Sequence, residues 1–245
     1  MSSNVSKFIS KLDKLGEGGI EVFVPSKKKS VTVTPLNLKQ QKDLISSVLD
    51  GVRGTLDFSR ALNNIILDNS GISDLKIFDK IPFAVNMRIQ ALGTKYIDDE
   101  YSKVDLQSVL DNIKNTKLQL KEEKLIEYKN LQIKLTIPTL QYENALLKKG
   151  ASDLDERPGL KEEVSALYML EIVKYIKEIK IDDITIEMAD TKIADRINLV
   201  EKLPLAVYAD ISDYIETVTS YNTGLLTVGD NKISIDSLFF DSTST

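Results

Sequence analysis

The stretch DKIPFAVNMRI, Asp79 to Ile89, decides how this chain is read, because EKLPLAVYADI, Glu201 to Ile211, restates it. Lys80/Lys202, Pro82/Pro204, Ala84/Ala206, Val85/Val207 and Ile89/Ile211 are identical, and Asp79/Glu201 and Ile81/Leu203 keep their character. The first copy reads as a helix over 79–92. Asp79 can cap it, and Pro82 lies in the first turn, where a missing N–H is harmless. Ile81, Val85, Ile89 and Leu92 then form a buried stripe that Gly93 ends.

Working outward, Ile20–Val24 (IEVFV) and Ser30–Thr34 (SVTVT) are β-branched runs around Pro25, Ser26 and three lysines, Lys27, Lys28 and Lys29. They read as a hairpin over 20–34 with a basic tip. After Pro35, Asn37 and Gln40 have capping-box spacing and predict a helix Leu38–Val52, with Leu38, Leu44, Ile45, Val48 and Leu49 on one face. A second helix spans 56–67 and stops at Asn69-Ser70-Gly71. Beyond Gly93 the pattern weakens.

The second half repeats the order. Strand-like runs at Lys117–Leu120, Leu125–Tyr128 and Leu131–Ile137, with a turn at Lys129-Asn130, end at Pro138, and Thr139 caps a helix over 139–148. Gly150–Leu160 reads as a loop, Lys161–Ile179 as a long helix and Ile184–Met188 as a short strand. Helical spacing returns over 193–221 with a break at Pro204. Gly229-Asp230-Asn231 then turns into a final strand over 232–240, and Asp241–Thr245 is a polar end.

The expected fold is therefore α+β and helix-rich, with two similar lobes from an internal duplication, each a hairpin followed by packed helices. One lobe covers 1–115 (hairpin 20–34, helices 38–52, 56–67 and 79–92). The other covers 116–245 (strands in 117–137, helices 139–148, 161–179 and 193–221, strand 232–240), with insertions near 150–160 and 184–188. A duplicated module doubles an interaction surface, which suits a scaffold better than a catalyst.

Composition narrows the chemistry. The 245 residues are 42% hydrophobic, enough for a core, and the net charge is −5 with acids and lysines interleaved, so no basic face for nucleic acid stands out. No apolar run suits a signal peptide or a bilayer span, so the expected home is a cytoplasm, away from membranes. The chain has no cysteine and no histidine. That excludes disulfides, thiolate zinc sites, thiol nucleophiles and a Ser-His-Asp triad. An enzyme would be left with carboxylates, Lys, Tyr or a magnesium ion. No catalytic, cofactor-binding or metal-ligating residue is assigned.

Individual motifs read as surface or core. Gly16-Glu17-Gly18-Gly19 lacks the Gly-Lys-Ser/Thr of a phosphate loop and reads as a linker. Asp98-Asp99-Glu100 and Asp182-Asp183 could bind a hard cation but read as solvated carboxylates. The basic tip Lys27, Lys28, Lys29 reads as a solvated turn that could also meet an acidic partner. Phe239 and Phe240 close a buried strand or serve as a docking tail. Gln41 and Ser47 lie on the exposed face of helix 38–52. These seven are the candidate partner-binding residues.

The segments PLNLKQQKDLISSVLDG (Pro35–Gly51), ALNNIILDNS (Ala61–Ser70) and DKIPFAVNMRIQALG resemble the baseplate hub assembly proteins of T-even-like contractile-tailed phages. The resemblance is strongest over about residues 20–95, with weaker support from ISIDSLFF near the end. Some relatives carry paired cysteines suited to zinc after the third helix. This chain has none, so no metal role transfers. The resemblance implies a subunit or assembly factor of the tail baseplate hub, acting by protein–protein contact without catalysis or cofactor. Its partners would be other hub or tail proteins, with self-association as a further expectation. It would work in the host cytoplasm during assembly or in the virion tail. The alternatives are a carboxylate- and magnesium-dependent enzyme and a nucleic-acid-binding module using the basic tip.

Overall fold

A computed structural model describes residues 18–47, 51–97, 103–155 and 168–239, without the side chains of 51–53, 55 and 151–155. Val48, Leu49, residues 156–167, Asp98-Asp99-Glu100, Phe240 and the polar end lie outside the described residues.

The first hairpin pairs β1 (Ile20–Val24) with β2 (Lys29–Val33), Ile20 opposite Val33 and Val24 opposite Lys29. A 3-10 turn, Pro25–Lys27, joins them, with Lys28 left-handed at φ 51°. Strand alternation turns Val22, Val24 and Val33 inward. The capping box forms as expected: Asn37 Oδ1 accepts the Gln40 N–H at 2.9 Å, and Gln40 Oε1 accepts the Asn37 N–H at 3.1 Å. It opens α1 (Leu38–Ser47). The expected five-residue stripe is corrected, because Leu44 is buried in α1 while Leu38 and Ile45 are exposed.

Helix α2 (Gly51–Ser70) outruns its expected bounds at both ends. A 3-10 turn, Ile77–Asp79, leads into α3 (Lys80–Leu92), whose residues from Lys80 to Val85, with Met87 and Arg88, are all buried. This helix is central rather than amphipathic, so its burial is not confined to one stripe, and Ile89 is only half-buried. Gly93 ends it at φ 87°, a conformation L side chains rarely adopt. The buried Arg88 guanidinium donates to the carbonyls of Gly93 at 3.1 Å and Lys95 at 3.3 Å. Where the sequence pattern weakens, the chain builds a hairpin of β3 (Lys95–Ile97) and β4 (Lys103–Asp105), then α4 (Leu106–Asn115), capped by Asp105.

The second half is built on a four-stranded antiparallel sheet in the order β5-β6-β7-β8. Its strands are β5 (Glu123–Tyr128), β6 (Leu131–Thr136), β7 (Ile176–Ile181) and β8 (Ile184–Glu187). The strand expected at 117–120 does not form. Leu118 and Leu120 pack on the core from irregular backbone. Thr139 Oγ1 accepts the Tyr142 N–H at 3.2 Å and starts α5 (Leu140–Asp155), which runs through the first half of the expected loop 150–160. The helix expected over 161–179 is corrected too: α6 (168–173) is helical, but 176–181 is β7.

Pro204 separates α7 (Ile193–Glu201) from α8 (Leu205–Leu225), as its missing N–H requires. The expected final strand 232–240 shrinks to β10 (Asn231–Lys232), paired with β9 (Thr227–Val228), followed by a 3-10 turn Asp236–Phe239. Leu238 and Phe239 are adjacent and both buried, which a strand's alternation forbids and a tight helical turn permits.

One continuous core spans the chain and includes Val85, Ile133, Val207 and Leu238. A short backbone seam crosses between the halves. Lys76 bridges Thr139, Ile77 N–H donates to the Pro138 carbonyl at 3.1 Å, and Leu140 N–H donates to the Leu75 carbonyl at 2.8 Å. Among the described residues no helix is long and apolar enough to cross a membrane.

Candidate functional site

The chemistry-bearing side chains that converge do so beside this seam. Glu143 stands on α5 three residues after Leu140 and three before Leu146, on the apolar stripe that faces α2. A carboxylate there loses its water, and a buried charge must be paired or neutralised. Two cations answer it. Lys80, the first residue of α3, donates to Oε2 at 2.8 Å, and Lys174, just after α6, donates to Oε1 at 3.1 Å. The Asn63 amide of α2 adds a third donor at 2.9 Å. Lys80 also reaches Ser59 Oγ at 3.3 Å, and Lys174 reaches Glu171 at 2.6 Å.

The electrostatics are those of a closed network. Burial pushes the Glu143 carboxyl up, but Lys80 and Lys174, with the hydrogen bonds from Lys80 and Asn63, outweigh it and hold the group well below the usual carboxylate range. Burial pulls Lys174 down, yet Glu143 and Glu171 hold it above the ordinary lysine range. A general acid or base works best with a pKa near the working pH, and both groups are driven away from neutrality. The cluster is therefore suited to fixing α2, α3, α5 and the turn after α6 in one arrangement. Beside it lies a cavity of about 270 Å³, walled by Leu56, Leu146, Leu147 and Leu170 with Ser59, Glu143, Glu171 and Lys174.

A second polar knot sits one residue before Lys80. Asp79 is fully buried and accepts from Ser26 N–H at 2.9 Å, Ser26 Oγ at 2.6 Å and Lys76 N–H at 2.7 Å. Its carboxylate thus ties the hairpin tip to α3 and makes no side-chain cap on that helix, a correction to the expected capping role.

The residues singled out from sequence do not gather in one place. Lys27 pairs with Asp74 at 2.7 Å, while Lys28 and Lys29 are exposed at the hairpin tip. Gln41 and Ser47 are half-buried on α1, and the Ser47 hydroxyl donates to the Leu44 carbonyl at 2.7 Å. Phe239 is buried with its ring 6.1 Å from that of Phe58. Asp182 accepts from the Asn130 amide at 3.0 Å, joining two tight turns. Among the described residues no group of three or more acidic side chains gathers as a metal site would require. Sequence reasoning missed Lys80, Glu143 and Lys174. The available signal was a glutamate on the apolar stripe of a helix.

A family model described as T4 bacteriophage base plate protein matches residues 19–225. No curated protein and no solved structure matches the chain.

Proposed function

The chain belongs to the T4 bacteriophage base plate protein family, and from that premise we propose that it is a hub subunit or hub assembly factor of the contractile-tail baseplate. It acts through contacts with other hub or tail proteins, in the host cytoplasm during assembly or, as a resident subunit, in the tail baseplate. The family match over 19–225 carries this reading. The buried ion network adds to it, since Glu143 and Lys174 are held far from the protonation balance that acid–base catalysis needs.

The duplication belongs to the same proposal, with lobes 1–115 and 116–245. Supporting it, one half runs β1–β2, α1, α2, α3, β3–β4, α4 and the other β5–β6, α5, α6, α8, β9–β10, with β7–β8 and α7 inserted and α4 without a counterpart. Helix α3 packs on β1 as α8 packs on β5. Overlaying β1–β2 on β5–β6 and finding Val85 away from the position of Val207 overturns it.

The functional test is genetic. A phage with this gene disrupted makes DNA-filled heads but no complete contractile tails, because tube and sheath start from a finished baseplate. Mass spectrometry of purified particles then tells a resident subunit from a departing assembly factor. Complete tails from the disrupted phage refute the reading.

A further inference from the structure

We propose that the edge of β5, open among the described residues, receives an extended segment of another tail protein whose side chains alternate as apolar–x–basic, an inference that rests on the baseplate reading above.

The four-stranded sheet ends in β5 on one side and β8 on the other, and the two ends are built differently. Strand β8 has four residues, and the Glu187 carbonyl is taken by the Thr191 hydroxyl at 2.9 Å. Glu187 also lies directly opposite Glu178, a like-charge pair that discourages further pairing there.

Among the described residues strand β5 lacks these guards. Tyr128 and Leu131 flank the two-residue turn Lys129-Asn130 and so form a hydrogen-bonded pair. Antiparallel alternation then bonds Ile126 and Lys124 to β6 and turns the N–H and C=O groups of Glu123, Leu125 and Glu127 away from it. Those groups have no partner among the described residues. Lys124, whose inward position on an edge would discourage pairing, is held by the Asp210 carbonyl of α8 at 3.0 Å.

The side chains of the same three residues choose the occupant. Leu125 is 56% exposed, with Glu123 and Glu127 exposed on either side along the outer face. Glu123 meets Lys134 and Lys177, whereas Glu127 accepts from the neutral Gln132 amide at 3.0 Å. An added strand places one side chain beside each of the three: apolar beside Leu125 and basic beside Glu127, which no cation meets among the described residues, whereas Glu123 already has two lysines. A second copy fits badly. Antiparallel self-pairing centred on Leu125 sets Glu123 against the copy's Glu127 twice.

Leu125→Pro tests the hydrogen bonding, because this N–H faces away from β6 and proline is tolerated at such an edge position. Leu125→Lys tests the side-chain pattern with no demand on the backbone. Supplied to a phage lacking the gene, each lowers the yield of complete particles by about tenfold or more, the equivalent of one lost contact, with the melting temperature of the purified protein kept. A benzoylphenylalanine replacing Leu125, irradiated during assembly, cross-links to a segment of another tail protein that carries the alternation. A cross-link to a second copy, to a segment without the alternation or to nothing overturns the proposal, as does full yield from folded Leu125→Lys. Such full yield beside the loss of tails on gene disruption leaves the baseplate role standing, whereas complete tails without the gene end both.

Discussion

Ser26 and Asp79 are bound to each other twice: the Ser26 N–H meets Oδ1 at 2.9 Å and its hydroxyl meets Oδ2 at 2.6 Å. The acid that opens the repeated stretch is thus spent on the hairpin tip, and the position of α3 is set by β1–β2.

Ser26→Ala removes one of the donors to a buried carboxylate and costs about 1–3 kcal/mol. Burial already raises the Asp79 carboxyl, against the hydrogen bonds from Ser26 and Lys76. A folded pKa above the unfolded value gives stability that is lost as pH rises through it. Losing a donor raises it further, so the penalty from urea titrations grows from acid to neutral pH. A penalty largest in acid contradicts this.

Glu143→Gln leaves two lysines facing a neutral amide and costs about 3–5 kcal/mol at neutral pH. The depressed carboxyl contributes stability above its unfolded value of 4.5 that is lost as pH falls through the folded value. The gap between variant and parent, measured by chemical denaturation, therefore narrows on acidification below that range. Replacing all three charges at once, Lys80→Met with Glu143→Leu and Lys174→Met, costs less than Glu143→Gln alone.

Tyr214 and Tyr221 titrate late. Burial pushes both phenols up to about 12, helped by Glu122 and Glu123 near Tyr214 and by Asp79 near Tyr221. Their stabilising effect is complete below the ordinary tyrosine value of 10.0 and lost as pH rises toward the folded value. Phenolate absorbance should show these two ionising after the exposed tyrosines, with cooperative unfolding close behind. Tyr214→Phe, which gives up the bonds to the Lys121 and Glu122 carbonyls, should lower stability at neutral pH by about 0.5–1.5 kcal/mol while making the alkaline loss shallower, because one ionising group is gone.

Gln41→Glu and Ser47→Asp add charge to α1. Both positions are half-buried, and stability should move by about 0.5 kcal/mol or less. Gln41→Glu is the milder because it lies near the helix N-terminus, where negative charge is favoured. If α1 is a partner surface, both reduce tail assembly in a complementation assay. Unchanged particle yield from both removes α1 from the candidate surfaces.

Local chemistry made much of the fold legible. Asn37 and Thr139 cap their helices because a side-chain oxygen two or three residues ahead of a free N–H needs nothing from the rest of the chain. The end of the expected helix 161–179 misled for a definite reason. A register shift opposite Lys134/Leu135 inserts Lys177, so Ile176 and Ile179 are both buried at a spacing of three, imitating a helix inside β7. Helix α4 was readable from Leu106, Val109 and Ile113 behind Asp105, and was missed amid short strands. The ion network was out of reach, because Lys80, Glu143 and Lys174 become neighbours only through the packing of three separate helical segments.

That network also orders events during synthesis. Lys80 leaves the ribosome long before Glu143 does, so a nascent chain ending near residue 115 holds a lysine destined for burial with no carboxylate to receive it. The N-terminal half should stay loosely packed and open to protease until α5 emerges. Native protection would then appear in one late step, which arresting translation at points that leave residue 143 inside the ribosome or outside it can time.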